Sequence, residues 1–119
     1  MDTVGRHTLS KEERLSGKVS IDALVKGGKW KGTEHIKACV LSGTGSGLNR
    51  IIVSVPKKNF KRAVKRNLLK RRIRESYRLQ KDVLTGTGTD ILFVYNSSEV
   101  IDFKTMFSEV GDLLRETAQ

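Results

Sequence analysis

Residues 60–78, FKRAVKRNLLKRRIRESYR, set a single acid, Glu75, among nine lysines and arginines. Guanidinium groups meet phosphate oxygens in pairs, and ammonium groups act beside them as point charges. The chemistry on offer is therefore neutralisation of a polyanion. At 100° per residue on a helix, Asn67, Lys70, Arg71, Arg74 and Arg78 share an arc roughly 100° wide. Leu69, Ile73 and Tyr77 fall on a separate narrow stripe spaced by four. One stripe docks the helix and the other presents donors to solvent. Arg62, Lys65 and Arg66 add charge at its start, and Lys57 and Lys58 extend the positive surface upstream.

Bond-breaking chemistry finds much less to work with. Metal-dependent hydrolysis needs converging carboxylates or histidines, whereas Asp82, Asp90, Glu99 and Asp102 are scattered near element ends as caps and turn residues. A metal-free nuclease needs an acid–base pair, often two histidines. His7 lies in a tail and His35 at a strand start, and both read as surface residues. The glycine-rich GTGSGLNR precedes a strand and lacks the lysine of a phosphate-binding loop. The expectation is that no catalytic residue and no metal ligand set belongs to this chain.

The bulk properties agree with a binding role. With 119 residues and 37% hydrophobic content, the chain suits one globular domain with a modest core. A formal charge of +10 opposes compaction and calls for a polyanionic partner, nucleic acid first and an anionic membrane second. A membrane-surface helix would need a broader apolar face than Leu69, Ile73 and Tyr77 supply. A merely solvated helix normally mixes charge signs. No apolar run is long enough to span a bilayer, the N-terminus has no signal-peptide core, and Cys39 is the only cysteine. A reducing, cytoplasmic location fits.

The elements that position the basic segment follow from periodicity. LSGKVSIDALVKGG reads as a short helix with Val19, Ile21, Leu24 and Val25 apolar, closed by Gly27 and Gly28 where left-handed backbone is cheap. HIKACVL and RIIVSV read as strands joined by SGTGSGLN as a hairpin connection, with Pro56 closing the second. The basic helix covers roughly residues 61–81, DVLTGTGT is a loop, and DILFVY is a strand covered on both faces. Phe103, Met106, Phe107, Val110, Leu113 and Leu114 form one stripe of a terminal helix capped by Asp102. The order is αββαβα, with room for one more strand from the loops. Residues 1–14 read as a flexible tail and 15–119 as a single domain.

KRAVKRNLLKRRIRE, preceded by IIVSVPKK, resembles the signature of the bacterial ribonuclease P protein subunit. Ala63, Val64, Arg66, Asn67, Lys70, Arg71, Arg74 and Glu75 match its motif positions, and Arg14-Leu15 fits the pattern before the family's first helix. The resemblance implies an α+β fold, a ribosomal-protein-like two-layer α/β sandwich of about four strands and three helices with a left-handed β-α-β crossover. It implies an accessory role in an endoribonuclease whose RNA subunit binds the catalytic Mg2+ and removes the 5′ leader of precursor tRNA. The implied partners are the ribonuclease P RNA and that leader, with no membrane and no protein oligomer required.

The chain departs from the pattern at several positions. Leu68 stands where the motif has an arginine, leaving a contact missing or supplied by a neighbour such as Arg72. Ile21 and Val25 replace cleft phenylalanines, Cys39 replaces a strand aromatic, and Pro56 replaces a serine. The cleft implied by the resemblance thus involves Ile21, Val25, Cys39 and Trp30, with Lys57 and Lys58 nearby. Trp30, between lysines on a glycine loop, either stacks on a base or caps the core edge. Two rival classes remain: a structural RNA-binding protein of ribosomal type without a processing role, and a DNA-binding regulator. A single helix flanked by strands argues against the regulator.

Overall fold

In the computed structural model, which describes residues 11–15 and 17–118, one four-stranded mixed sheet carries helices on both faces. The elements are α1 (Lys18–Gly27), β1 (Lys29–Gly32), β2 (Ile36–Leu41), β3 (Arg50–Ser54), α2 (Ala63–Gln80), β4 (Asp90–Tyr95) and α3 (Phe103–Ala118). The architecture is the expected α+β sandwich, and the extra strand is β1, which includes Trp30. Short 3-10 turns precede α1 (Lys11–Glu13) and follow α2 (Lys81–Val83).

The sheet order is β1-β2-β4-β3, so residues 42–49 do not form a hairpin connection. β4 inserts between β2 and β3, antiparallel to the first and parallel to the second. The connection must cross the width of β4, about 10 Å at two strand spacings. It reaches across through Gly43 and Gly45, both at positive φ, and is pinned where the Thr44 N–H donates to Gly88 O (3.0 Å). DILFVY takes the central place because it can bury both edges in hydrogen bonds. Only its core face is fully covered: Ile91, Phe93 and Tyr95 are buried, whereas Leu92 and Val94 are half-buried on the other side.

Alternation divides each strand between two clusters. Ile36, Ala38 and Val40, Ile51 and Val53, and Ile91, Phe93 and Tyr95 face α2 and α3 in the main core. From the helices come Leu69, Ile73 and Tyr77, and Met106, Val110, Leu113 and Leu114. Asp102 caps α3 as expected, its Oδ1 accepting from the Thr105 N–H (2.9 Å). On the opposite face α1 packs Leu24 onto Cys39 and Leu15, with Ile21, Leu41, Ile52 and Leu92 around them. Val19 and Val25, expected on the apolar face of α1, are exposed.

Two further expectations change. Gly28 closes α1 without a left-handed backbone, at φ −80°. A Cβ there would lie 2.5 Å from Leu24 O and 2.6 Å from Cys39 Sγ, so close approach rather than conformational freedom demands glycine. Residues 11–14 are also not tail: the Lys81 ammonium holds the Glu13 carboxylate (2.9 Å) and Arg14 bridges to Ile51 beside β3. Residues 1–10, including His7, lie outside the described residues.

Candidate nucleic-acid interface

The two stripes of α2 separate as their spacing requires. Leu69 and Ile73 are fully buried and Tyr77 is 1% exposed, its ring tilted against Phe93 at 6.2 Å between centroids. Burial pushes the Tyr77 phenol well above its ordinary range, so the ring stays neutral as part of the core. Asn67, Arg71 and Arg74 are exposed, and Lys70 and Arg78 are half-buried. Among the described residues no acid pairs with Lys70, Arg71 or Arg74. Lys70 and Arg71 lie four and three residues before Arg74 on one helix face, where like charges repel. Burial of the opposite stripe offsets that cost.

Not every cation of the segment faces outward freely. Glu75 pairs with Arg78 across one turn, and this hydrogen bond holds the Glu75 carboxyl below its usual range. Arg66 turns back to the helix start, donating from Nη1 to Phe60 O (2.6 Å) and Lys61 O (2.8 Å). It thereby ties the loop carrying Lys57 and Lys58, both exposed, to the first turn of α2. Arg62 and Lys65 are exposed at that turn. Arg72 donates to Ile101 O (2.6 Å) and so locks α2 to the segment entering α3. Leu68, at the position of the motif arginine, lines a groove with Arg71, Arg72, Glu75 and Phe103.

The second part of the site lies on the sheet face beneath α1. Strand register places Trp30, Cys39, Leu92 and Ile52 in one row across the sheet, and Gly32, Lys37, Val94 and Ser54 in the next. α1 covers part of the first row. Cys39 is wholly buried there, its S–H directed at Leu24 O (3.4 Å), and burial pushes its thiol pKa up. Cys39 thus supports α1 from below and is removed from the cleft surface. Ile21 is half-buried at the helix base and Val25 is 45% exposed above it. Trp30 is 51% exposed and, with Lys31, Gly32 and Lys37, lines a cavity of about 350 Å³ at the sheet edge. The half-exposed indole thus shares its cavity with the side chains of Lys31 and Lys37.

Three contributors escaped sequence reasoning. Lys37 joins Trp30 only through the β1–β2 register, and Lys31 only because the glycine segment is a strand. Arg14 shares a groove of about 200 Å³ with Leu15, Ile51, Ile52, Val53 and Arg74 along the outer edge of β3. That groove joins the cationic arc of α2 to the cleft face of the sheet. The one signal for it was the Arg14-Leu15 pair. Asp90, weighed as a possible acid, is buried and held by Arg50 at 3.0 and 2.9 Å, a structural pair.

A sandwich that gathers cations on one helix face, with Arg71 and Arg74 exposed and no acidic partner for them among the described residues, and leaves a half-open sheet face beside it belongs to the class of ribonucleoprotein subunits. The family model described as Ribonuclease P matches residues 9–118. The chain is 36% identical over 106 residues to the ribonuclease P protein component of Porphyromonas gingivalis, covering 82% of this chain and 77% of that one. It is 31% identical over 112 residues to the same component of Syntrophus aciditrophicus, covering 94% and 92%. The solved ribonuclease P protein of Thermotoga maritima superposes with a TM-score of 0.76 at 29% identity, over 87% of this chain and 96% of that one. The Staphylococcus aureus protein has the same fold, with a TM-score of 0.77 at 20% identity, over 88% and 94%. The chain belongs to the ribonuclease P protein family, a tRNA-processing subunit with an RNA partner.

Proposed function

We propose that the chain binds the catalytic RNA of ribonuclease P through the outer face of α2 and the 5′ leader of precursor tRNA in the cleft between α1 and the sheet. The observation that carries this reading is the opposition on α2: Leu69, Ile73 and Tyr77 are buried while Arg71 and Arg74 are exposed without an acidic partner among the described residues. Lys70 joins them at the edge of the arc. Leader sequences vary, so backbone charge contacts and sequence-tolerant stacking suit their capture. Trp30 supplies the stacking surface that aliphatic Ile21 and Val25 do not. The β3-edge groove with Arg14 and Arg74 gives the RNA a continuous cationic path between the two sites.

Hydrolysis of the phosphodiester, in this reading, uses Mg2+ held by the RNA. The described residues bring only Glu34, His35 and Glu109 together as a group of three metal-ligating types. An imidazole does not suit Mg2+, which takes oxygen ligands in an octahedron. The protein's part is to lower phosphate repulsion around the RNA site and hold the leader. A single buried thiol agrees with work in the reducing cytoplasm.

The test is reconstitution with a bacterial ribonuclease P RNA at limiting Mg2+. The chain should stimulate 5′ maturation of precursor tRNA, and Trp30→Ala should weaken leader-dependent binding about 5- to 150-fold, the range for one lost base stack of 1–3 kcal/mol. RNA binding without stimulation would leave a structural RNA-binding role instead.

A further inference from the structure

Phe103 was expected on the core stripe of α3, yet it is 37% exposed at the first turn of that helix, whereas Met106, three residues on, enters the main core. Its ring packs on Phe107, tilted by 49° at 5.8 Å between centroids. With Leu68, Arg71, Arg72 and Glu75 of α2 it lines an open groove of about 340 Å³. The walls are fixed in place. Arg72 Nη1 donates to Ile101 O (2.6 Å), two residues before Phe103, and Asp102 caps the helix that Phe103 opens. Val64, one turn before Leu68 on the same side of α2, is exposed. The seam between α2 and α3 thus leaves apolar side chains at the surface. The β2 entrance, by contrast, is fully partnered. His35, expected at the surface, is 8% exposed and clamped through Nδ1 to Glu109 Oε2 (2.5 Å), with Glu34 and Glu99 completing an ion-pair cluster.

We propose that the α2–α3 groove binds one unstacked nucleobase of the RNA partner, laid against the Phe103 ring, with Arg71 on the phosphate beside it. The inference rests on the reading of α2 as the RNA-binding face and names a contact there that charge alone does not supply. Arg71 belongs both to the groove and to the cationic arc with Lys70 and Arg74, so an RNA backbone lying on the arc passes the rim of the groove. Unpaired bases of folded RNA are captured on aromatic rings and guanidinium planes.

The size and charge of the groove favour the same occupant. Its volume lies near the low end of small-ligand sites, about 300–1,000 Å³, and suits one flat ring. Glu75, the one acid lining it, pairs with Arg78 and does not stand as an uncompensated charge against a phosphate. Leu68, at the position of the motif arginine, gives the groove an apolar wall where a base lies and no phosphate does. A second copy of the chain is a poorer occupant, because association would bring together two molecules of charge +10.

The experiment is fluorescence anisotropy with a labelled ribonuclease P RNA over a salt series, using the full chain with Phe103→Ala, Phe103→Leu or Phe103→Tyr. Loss of one base stack should lower the affinity of Phe103→Ala about 5- to 150-fold. The slope of log affinity against log salt should not change, because no charge is removed. Phe103→Leu keeps apolar bulk beside Phe107 without a ring and should bind as weakly, whereas Phe103→Tyr should bind like wild type. Undiminished affinity in the alanine or the leucine variant would overturn the proposal. Circular dichroism melting reads the fold, and if Phe103→Ala does not fold, leucine against tyrosine decides the question. Sedimentation showing wild-type dimers that Phe103→Leu disperses, with RNA affinity unaltered, would assign the groove to a second copy and overturn the proposal. A wild-type chain that binds no RNA would sink the reading of α2 and this contact together; wild-type binding matched by all three variants would remove the groove contact alone.

Discussion

Replacing Lys70, Arg71 and Arg74 together by alanine isolates the charge of α2 from its packing. Arg71 and Arg74 are exposed, none of the three has an acidic partner among the described residues, and Leu69 and Ile73 on the other face are fully buried. The fold should therefore survive, with each site changing stability by no more than about 0.5 kcal/mol. Relief of like-charge repulsion at i, i+3 and i, i+4 should return a few tenths of a kcal/mol. Binding should behave quite differently. If each side chain neutralises one phosphate, the slope of log affinity against log salt loses about 0.7–0.9 per contact, roughly 2.1–2.7 for three. Between 50 and 200 mM salt, a fourfold range, the wild type should lose about 20- to 40-fold more affinity than the variant. Fluorescence anisotropy with a labelled ribonuclease P RNA over that range reads the slope, and circular dichroism melting reads the fold. An unchanged slope with an intact melt would refute the assignment of this face to RNA, whatever happened to affinity at one salt concentration.

Other outcomes follow from packing and titration. Leu69→Ala should cost about 2–5 kcal/mol in chemical unfolding, because a fully buried leucine on the docking stripe leaves a cavity, and its effect on the salt slope should be small. Gly28→Ala should lower the unfolding temperature and cost about 1–3 kcal/mol, since the methyl meets Leu24 O and the Cys39 sulfur within 2.6 Å. The His35–Glu109 pair gives a pH window, measured by urea unfolding. The hydrogen bond that His35 donates to Glu109 raises the His35 pKa above 6.5, so its contribution is present below that pH and fades as pH rises through the raised value. Burial opposes charge on Glu109, but hydrogen bonds from Thr33 and His35 outweigh it and hold the carboxyl below 4.5, so that contribution fades as pH falls through the lowered value. Stability from the pair should peak between those limits, and Glu109→Gln should flatten the profile; a wild-type profile identical to the variant's would contradict the clamp.

The division of α2 into a docking stripe and a cationic face was legible in the chain because both are written with helical spacing in one contiguous segment. Burial of Leu69, Ile73 and Tyr77 and exposure of Arg71 and Arg74 need only the pitch of a helix and an apolar surface to dock on. The α3 stripe and its Asp102 cap are local for the same reason. Where reasoning from spacing erred, the deciding contact lay far along the chain. Whether β2 pairs with β3 or with β4 is a competition among strands, won by DILFVY from forty residues away, and no property of residues 42–49 announces it. Gly28 looks like any helix-ending glycine until Cys39 is laid against it.

Local periodicity thus settled the elements, the charge and which face of α2 carries the exposed cations, since those depend on residues within a few turns of each other. Tertiary pairing settled which strand lies in the middle, why Cys39 is hidden beneath α1, and how Trp30 comes to sit beside Lys37. It also gathered Glu34, His35, Glu99 and Glu109 from three separate segments around one imidazole. Period and propensity act over a few residues, whereas such convergence is fixed by how whole layers pack, and that is stored in no single stretch of the chain.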